Sequence, residues 1–194
     1  MRARTEDLRQ RALRVGARMF AKSSYAATTT RELSKAIGIT NGTFHHHFAT
    51  KEGLLLAICE RSFGRIARAN RAALEGIDDD LERLRALIAS YAAVLNEDKY
   101  LHKTAVVDMR ALDGENLASA EAAAAEVRAI VLEVVRSGQE HGAFRDDLDA
   151  ADLALILIDL ITWSLWTEPR PEADADSLQA AVAAVFLDGA AAPA

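Results

Sequence analysis

The stretch "TTTRELSKAIGITNGTFHHHFATKEGLL", Thr28 to Leu55, decides the fold. Thr29 and Glu32 stand three residues apart ahead of an apolar run. That is the spacing of a capping box, in which two side chains satisfy backbone N–H groups at a helix start. A short helix is predicted over Thr30–Ile37, with Leu33, Ala36 and Ile37 turned inward. Gly38 ends it, because a left-handed helix terminus favours glycine. Thr40 caps a second short helix, Asn41 to His47, and Thr50 caps a third that begins Lys51-Glu52. Each cap contributes about 1 kcal/mol.

The three consecutive histidines first suggest a metal site. On a helix, adjacent side chains point about 100° apart, so His45, His46 and His47 cannot converge on one ion. A chelating pair needs a spacing of three or four. The only other histidines are His102 and His141, and there is one cysteine, so no metal and no cofactor is expected. Phe44, His47 and Phe48 share one face and are expected to pack beneath the preceding helix. Asn41, Gly42, His45 and His46 are left for the other faces. Capped helix, glycine turn and short polar helix make a helix-turn-helix, whose second helix enters the major groove with its N-terminal residues at base edges. Thr, Asn and His hydrogen-bond there, and Gly42 lets the backbone come close.

Charge supports a polyanion partner for this part of the chain. Residues 1–71 carry 14 Lys+Arg against 5 Asp+Glu, a balance of +9; residues 72–194 carry 9 against 24, a balance of −15. A basic head on an acidic body directs a polyanion to the head alone. Half the residues are hydrophobic (51%), while glycine (10) and proline (3) are sparse, which favours an all-α protein with a sizeable core. Further helices are predicted at about Thr5–Lys22, Lys51–Leu74, Asp80–Asn96, Leu101–Leu112, Asn116–His141, Ala150–Thr167 and Asp174–Asp188. No run reaches the roughly 20 apolar residues that span a bilayer. "MRARTEDLRQR" has no apolar signal-peptide core. With Cys59 as the single cysteine, a cytoplasmic location is expected.

The quoted stretch resembles the DNA-binding signature of the tetracycline-repressor (TetR) family, T-T-x-R-x-I-A-x-x-A-G-V-S-x-G-T-L-Y-x-H-F-x-S-K-E-x-L, without a gap. The resemblance implies an N-terminal three-helix helix-turn-helix domain (residues 1–49). It also implies a helical body for ligand binding and dimerisation (residues 50–194), with about nine helices in all. The function implied is a homodimeric, ligand-responsive transcription regulator, usually a repressor on a palindromic operator. Carried over by position, Thr29, Arg31, Thr40, Asn41, Gly42, Thr43, His45, His46 and Lys51 are the DNA-binding residues. Arg31 and the polar residues of the third helix read bases or phosphates, while Thr29, Thr43 and Lys51 mainly hold phosphates. His45 stands where the family often has a tyrosine. His47 and Phe48 match its structural H-F pair.

The segment "ADLALILIDLITWSLW" is apolar on nearly every side, so it is buried in a core or by a second subunit. With the alanine-rich "SLQAAVAAVFL" it suggests a four-helix interface across a two-fold axis, hence a homodimer through the last two helices. Phe63, Ile66, Leu87, Tyr91, Met109, Leu112, Trp163 and Trp166 are candidates to line an apolar effector cavity. "GAFRDDLDAADLALILIDLITWSLWTEPRP" resembles a TetR subgroup with paired tryptophans before a proline, whose members often answer to acyl-CoA thioesters or similar lipids. Glu168 stands where that subgroup commonly has a basic residue. Against an enzyme, the sequence has no G-x-S-x-G, P-loop or dinucleotide fingerprint, and its acidic clusters fall where helices start. The remaining alternative is a ligand-binding helical dimer without sequence-specific DNA binding.

Overall fold

The computed structural model describes residues 2–163, 181–182 and 184–186. Among them are eight α-helices, one short 3-10 turn and no β-strand element: α1 Arg2–Ser23, α2 Thr30–Ile37, α3 Asn41–Phe48, α4 Lys51–Leu74, α5 Asp80–Glu97, α6 Lys99–Asp108, the 3-10 turn Met109–Ala111, α7 Gly114–Glu140 and α8 Ala150–Thr162. The expected all-α class is what the chain adopts. No helix of the described residues is long and apolar enough to cross a membrane.

Two compact units form. One comprises Met1–Gly64 with Asp98–Ala124, the other Arg65–Glu97 with Ala125–Ala194.

In the first unit, α1 buries Ala12, Leu13, Ala17 and Phe20 at helical spacing and packs against α6 and α2. Gly16 marks a close approach: a Cβ there would stand 2.8 Å from the Leu54 side chain. Leu33, Ile37, Phe44 and Phe48 fill the space beneath the helix-turn-helix. Two buried polar groups on α6 find partners far along the chain. The Thr104 hydroxyl donates to the Ala17 carbonyl at 2.9 Å, and His102 Nδ1 lies 2.7 Å from the Ser62 hydroxyl. A buried polar group without such a partner would cost about 1–3 kcal/mol.

In the second unit, α5 contributes Leu84, Leu87, Ile88, Tyr91 and Leu95 to a core shared with α8, which buries Leu153, Ala154, Leu157 and Ile161. Val127, Ile130, Val131, Val134 and Val135 of α7 are buried in the same unit. The acidic clusters do what their positions suggest: Asp79 accepts from the Glu82 N–H and Asp149 from those of Ala151 and Asp152, each at a helix start. No metal-holding group of three His, Cys, Asp or Glu occurs among the described residues. Cys59 is fully buried, and burial, with the Asp108 and Glu60 charges, pushes its thiol up to about 12.

Several helix boundaries differ from expectation, among them the starts of α1 at Arg2 rather than Thr5 and of α7 at Gly114 rather than Asn116. The helix predicted from Leu101 starts at Lys99, because Asp98 caps it by accepting from the Leu101 N–H at 3.3 Å. The α-helix ends at Asp108, and Met109–Ala111 tighten into the 3-10 turn, a common helix ending. The helix predicted over Ala150–Thr167 is described to Thr162 and its remainder from residue 164 lies outside the described residues. So does most of the predicted final helix, of which residues 181–182 and 184–186 are helical.

Candidate nucleic-acid interface

The helix-turn-helix is assembled by local hydrogen bonds that the sequence spells out. Thr29 is the N-cap of α2: its hydroxyl oxygen accepts from the Glu32 N–H at 3.3 Å, while the Glu32 carboxylate accepts from the Thr29 N–H at 2.9 Å and hydroxyl at 2.7 Å. These bonds hold the Glu32 carboxyl below its usual range. Gly38 ends α2 at φ 79°, a left-handed conformation. The Gly38 N–H donates to the Lys35 carbonyl and the Ile39 N–H to that of Ser34, the two bonds of a Schellman ending. One residue later Thr40 caps α3, accepting from the Thr43 N–H at 3.1 Å.

That turn leaves α3 with two faces. Phe44 (0% exposed) and Phe48 are buried, with His47 half-buried beside them. Thr40, Asn41, Gly42, His45 and His46 are exposed, and Thr43 is half-exposed. A small residue at Gly42 leaves open space there, with no atom nearer to an added Cβ than the Thr40 hydroxyl at 3.8 Å. The exposed groups are held in place. The Thr40 and Thr43 hydroxyls lie 2.9 Å apart. The Ser34 hydroxyl, which donates to the Thr30 carbonyl, approaches Asn41 Oδ1 at 3.3 Å. His45 Nδ1 lies 2.6 Å from the Ala49 carbonyl. On α2, Thr29 and Arg31 are exposed, and Thr29's hydroxyl is spent in the cap.

Lys51 is placed differently from the other predicted contacts. It opens α4 half-buried, and its ammonium donates to the carbonyls of Tyr25 at 2.9 Å and Thr28 at 3.0 Å while lying 4.1 Å from the Tyr25 ring centre. It therefore fastens the turn before α2 to the start of α4. Two of its three N–H bonds are committed, so one is left for a phosphate. Two neighbours that sequence reasoning did not single out join this region. Arg9 of α1 lies over the Phe48 ring at 5.6 Å, and Tyr25 is the anchor of Lys51. Nothing in local spacing marks either, since both contacts span more than twenty residues.

The residues predicted to line an effector cavity divide between the two units. Phe63 and Leu112 are buried and Met109 half-buried in the first unit. Ile66, Leu87 and Tyr91 are buried in the second, where burial and the Asp159 charge push the Tyr91 hydroxyl above the usual phenol range. Beside them Asn70 is fully buried and accepts from the Ser90 hydroxyl at 2.6 Å. Trp163 is 63% exposed at the C-cap of α8, and Trp166 lies outside the described residues. An open cleft of about 670 Å³ in the second unit is lined by charged and aliphatic groups including Arg71, Leu74, Arg83, Ile130 and Glu133, none of them predicted.

Comparison with known proteins meets this geometry from two sides. Residues 12–58, which include α2 and α3 whole, match the model of bacterial regulatory proteins of the tetR family. Residues 78–190 match that of the tetracyclin repressor-like C-terminal domain. The HTH-type transcriptional repressor KstR2 of Mycobacterium tuberculosis is 30% identical over 186 residues, covering 91% of this chain and 90% of the relative. Among solved structures, the TetR-family regulator PfmR of Thermus thermophilus superposes with a TM-score of 0.83 at 25% identity over 91% of this chain and 97% of that one. AibR, solved with isovaleryl coenzyme A and operator DNA, shares the fold with a TM-score of 0.82 at 19% identity over 92% and 97%. A capped helix-turn-helix with a polar outer face, followed by an all-helical body that matches the family's C-terminal model, leaves one assignment: this chain belongs to the tetR family of bacterial regulatory proteins and is a DNA-binding transcription regulator.

Proposed function

We propose that the protein is a cytoplasmic homodimeric repressor that grips a palindromic operator through α3 of each subunit. It leaves that operator when a small apolar or acyl effector binds the body. The observation that carries this reading is the outer face of α3, where Thr40, Asn41, His45 and His46 are exposed and polar around the open backbone of Gly42. Asn41, exposed in the first turn of α3, is the base reader; an asparagine amide pairs in two-point fashion with adenine N6 and N7. Arg31, Thr40, Thr43, His45 and His46 complete the contact, and Thr29 and Lys51 position the helices as much as they hold phosphates. Residues 1–49 serve as the DNA-binding domain and 50–194 as the ligand-binding and dimerisation domain.

Dimerisation uses α8 and the chain beyond it. Leu155 and Ile156 on α8, with Trp163 at its end, are half or more exposed, apolar side chains that a second copy covers, with the exposed Asp152 and Asp159 beside them. The effector is assigned to the apolar layer that includes Ile66, Leu87 and Tyr91. Support comes from two proteins of the same fold, one named a ketosteroid regulator and one solved with an acyl-CoA. The effector must bind the DNA-free conformation more tightly for release to follow. The long α4, which opens beside α3, is the element whose shift would respace the two recognition helices.

The test is selection of genomic fragments by the purified protein at near-physiological salt. A palindromic site with half-sites about one helical turn apart is expected. Recovery of random, salt-labile fragments alone would favour a ligand-binding dimer without sequence reading. Thermal melting with long-chain acyl-CoAs and free fatty acids tests the effector class, because a ligand of the native state must raise the melting temperature.

A further inference from the structure

We infer that His45 holds DNA only as the imidazolium, so that binding takes up a proton at this side chain. The inference rests on the proposed DNA contact of α3 and adds the chemistry of one residue. His45 is exposed, and two contacts orient its ring. Nδ1 lies 2.6 Å from the Ala49 carbonyl, and the Phe44 ring packs edge-on at 5.8 Å. A carbonyl oxygen only accepts, so Nδ1 carries a hydrogen. In the neutral ring the other nitrogen, Nε2, then presents a lone pair and no proton.

A duplex offers that nitrogen little to accept. Phosphate oxygens are acceptors, as are purine N7, guanine O6 and thymine O4; only the amino groups of adenine and cytosine donate in the major groove. A neutral His45 fixed in this tautomer therefore meets most of the duplex lone pair to lone pair. One added proton turns Nε2 into a charged donor, which phosphate oxygens bind strongly. Two features favour that proton in the complex. The duplex is a dense array of negative charge, and His45 lies in the last turn of α3, where the helix dipole favours a cation.

The charged groups on the surrounding elements do not compete. On α2, Glu32 is committed to Thr29, with Arg31 and Lys35 exposed. On α4, Lys51 is committed to the Tyr25 and Thr28 carbonyls and Glu52 accepts from Asn116. Arg9 of α1 lies over Phe48, and His46 and His47 flank His45 on α3 itself. No carboxylate pairs with His45 among the described residues.

The sign follows from linkage. If DNA favours the protonated ring, its contribution to affinity is complete at the acid end and is lost as pH rises. Affinity should fall by up to about tenfold per pH unit for each proton coupled.

The experiment measures affinity for the selected operator and for random duplex from pH 5.5 to 8.5 at constant low salt, with melting curves of every variant over the same range. Wild type is expected to bind more weakly as pH rises, on both duplexes. His45→Phe should lose the part of the slope that wild type has. His45→Tyr, whose hydroxyl donates without an added proton, should bind at pH 8.5 at least as tightly as wild type, and with a flatter profile. A wild-type profile that is flat, or one that His45→Phe and His45→Tyr leave unchanged, overturns the inference even when operator recognition holds. A His45-dependent slope on random duplex without operator preference keeps the inference and removes the sequence-reading role.

Discussion

On α3 the side chains that reach solvent are Thr40 at its cap, Asn41, His45 and His46; on α8 they include Leu155, Ile156 and, at its C-cap, Trp163. Both helices bury one face in their own unit, so both satisfy the fold. They differ in what the other face can meet. The α3 face is small, polar and tied down by bonds to its own cap and turn, which suits a hydrated polyanion. The α8 face carries the large apolar side chains Leu155, Ile156 and Trp163 beside the exposed carboxylates Asp152 and Asp159, and its apolar area loses in water roughly 25 cal/mol for each Å² left uncovered. The comparison teaches that burial alone locates a core, while the chemistry of the unburied face locates the partner.

The largest effect should come from undercutting the polar face. Phe44→Ala removes a fully buried ring beneath α3 and should cost about 3–5 kcal/mol, seen as loss of DNA binding and a lowered melting temperature. Next, Ile156→Glu places a charge on the apolar face of α8. The expected result is a rise in the dimer dissociation constant on the order of a hundredfold, about 3 kcal/mol, measured by sedimentation, with helicity retained. An unchanged dimer would break the comparison, because the α8 face would then need no partner.

Asn41→Ala should weaken operator binding by roughly 1–3 kcal/mol while leaving random DNA almost unaffected. Equal losses on both would remove its base-reading role. Within the apolar unit, Asp80 supplies a polar contrast. It is buried and accepts from Ser137 at 2.8 Å, and His141 Nδ1 lies 2.7 Å from its other oxygen. Burial raises its carboxyl, but the bonds from His141 and Ser137, with the His141 and Arg83 charges, hold it on balance below the usual range. A carboxyl lowered on folding contributes stability above the unfolded value, about pH 3.9, and loses it as pH falls through the folded value. Asp80→Asn should therefore lower stability at pH 7 by about 1–3 kcal/mol and flatten the acid limb of urea midpoint against pH. The smallest change is Thr29→Ala, which removes the cap of α2 and should cost about 1 kcal/mol.

Much of this molecule could be read without coordinates. The starts of α2, α3 and α4, and the α2 ending at Gly38, lie where the threonine caps and the glycine put them, since each depends on bonds between residues no more than about five apart. The buried and exposed faces of α3 follow from three-and-four spacing in the same way. The boundary at Asp98 was missed because an aspartate cap without a following glutamate resembles any other polar turn.

What the sequence by itself determined, then, was the succession of helices, the two faces of the recognition helix and the separation of charge along the chain. All of these arise from near neighbours or from simple counts. Only the tertiary structure decided that Lys51 fastens the Tyr25–Thr28 turn, that His102 meets Ser62, and that residues 98–124 pack with residues 1–64. It also decided that Asn41 leans on Ser34. These pairings join residues from seven to more than forty positions apart. They form because buried polar groups must find partners and apolar faces must find cover, conditions met only after the chain has closed on itself.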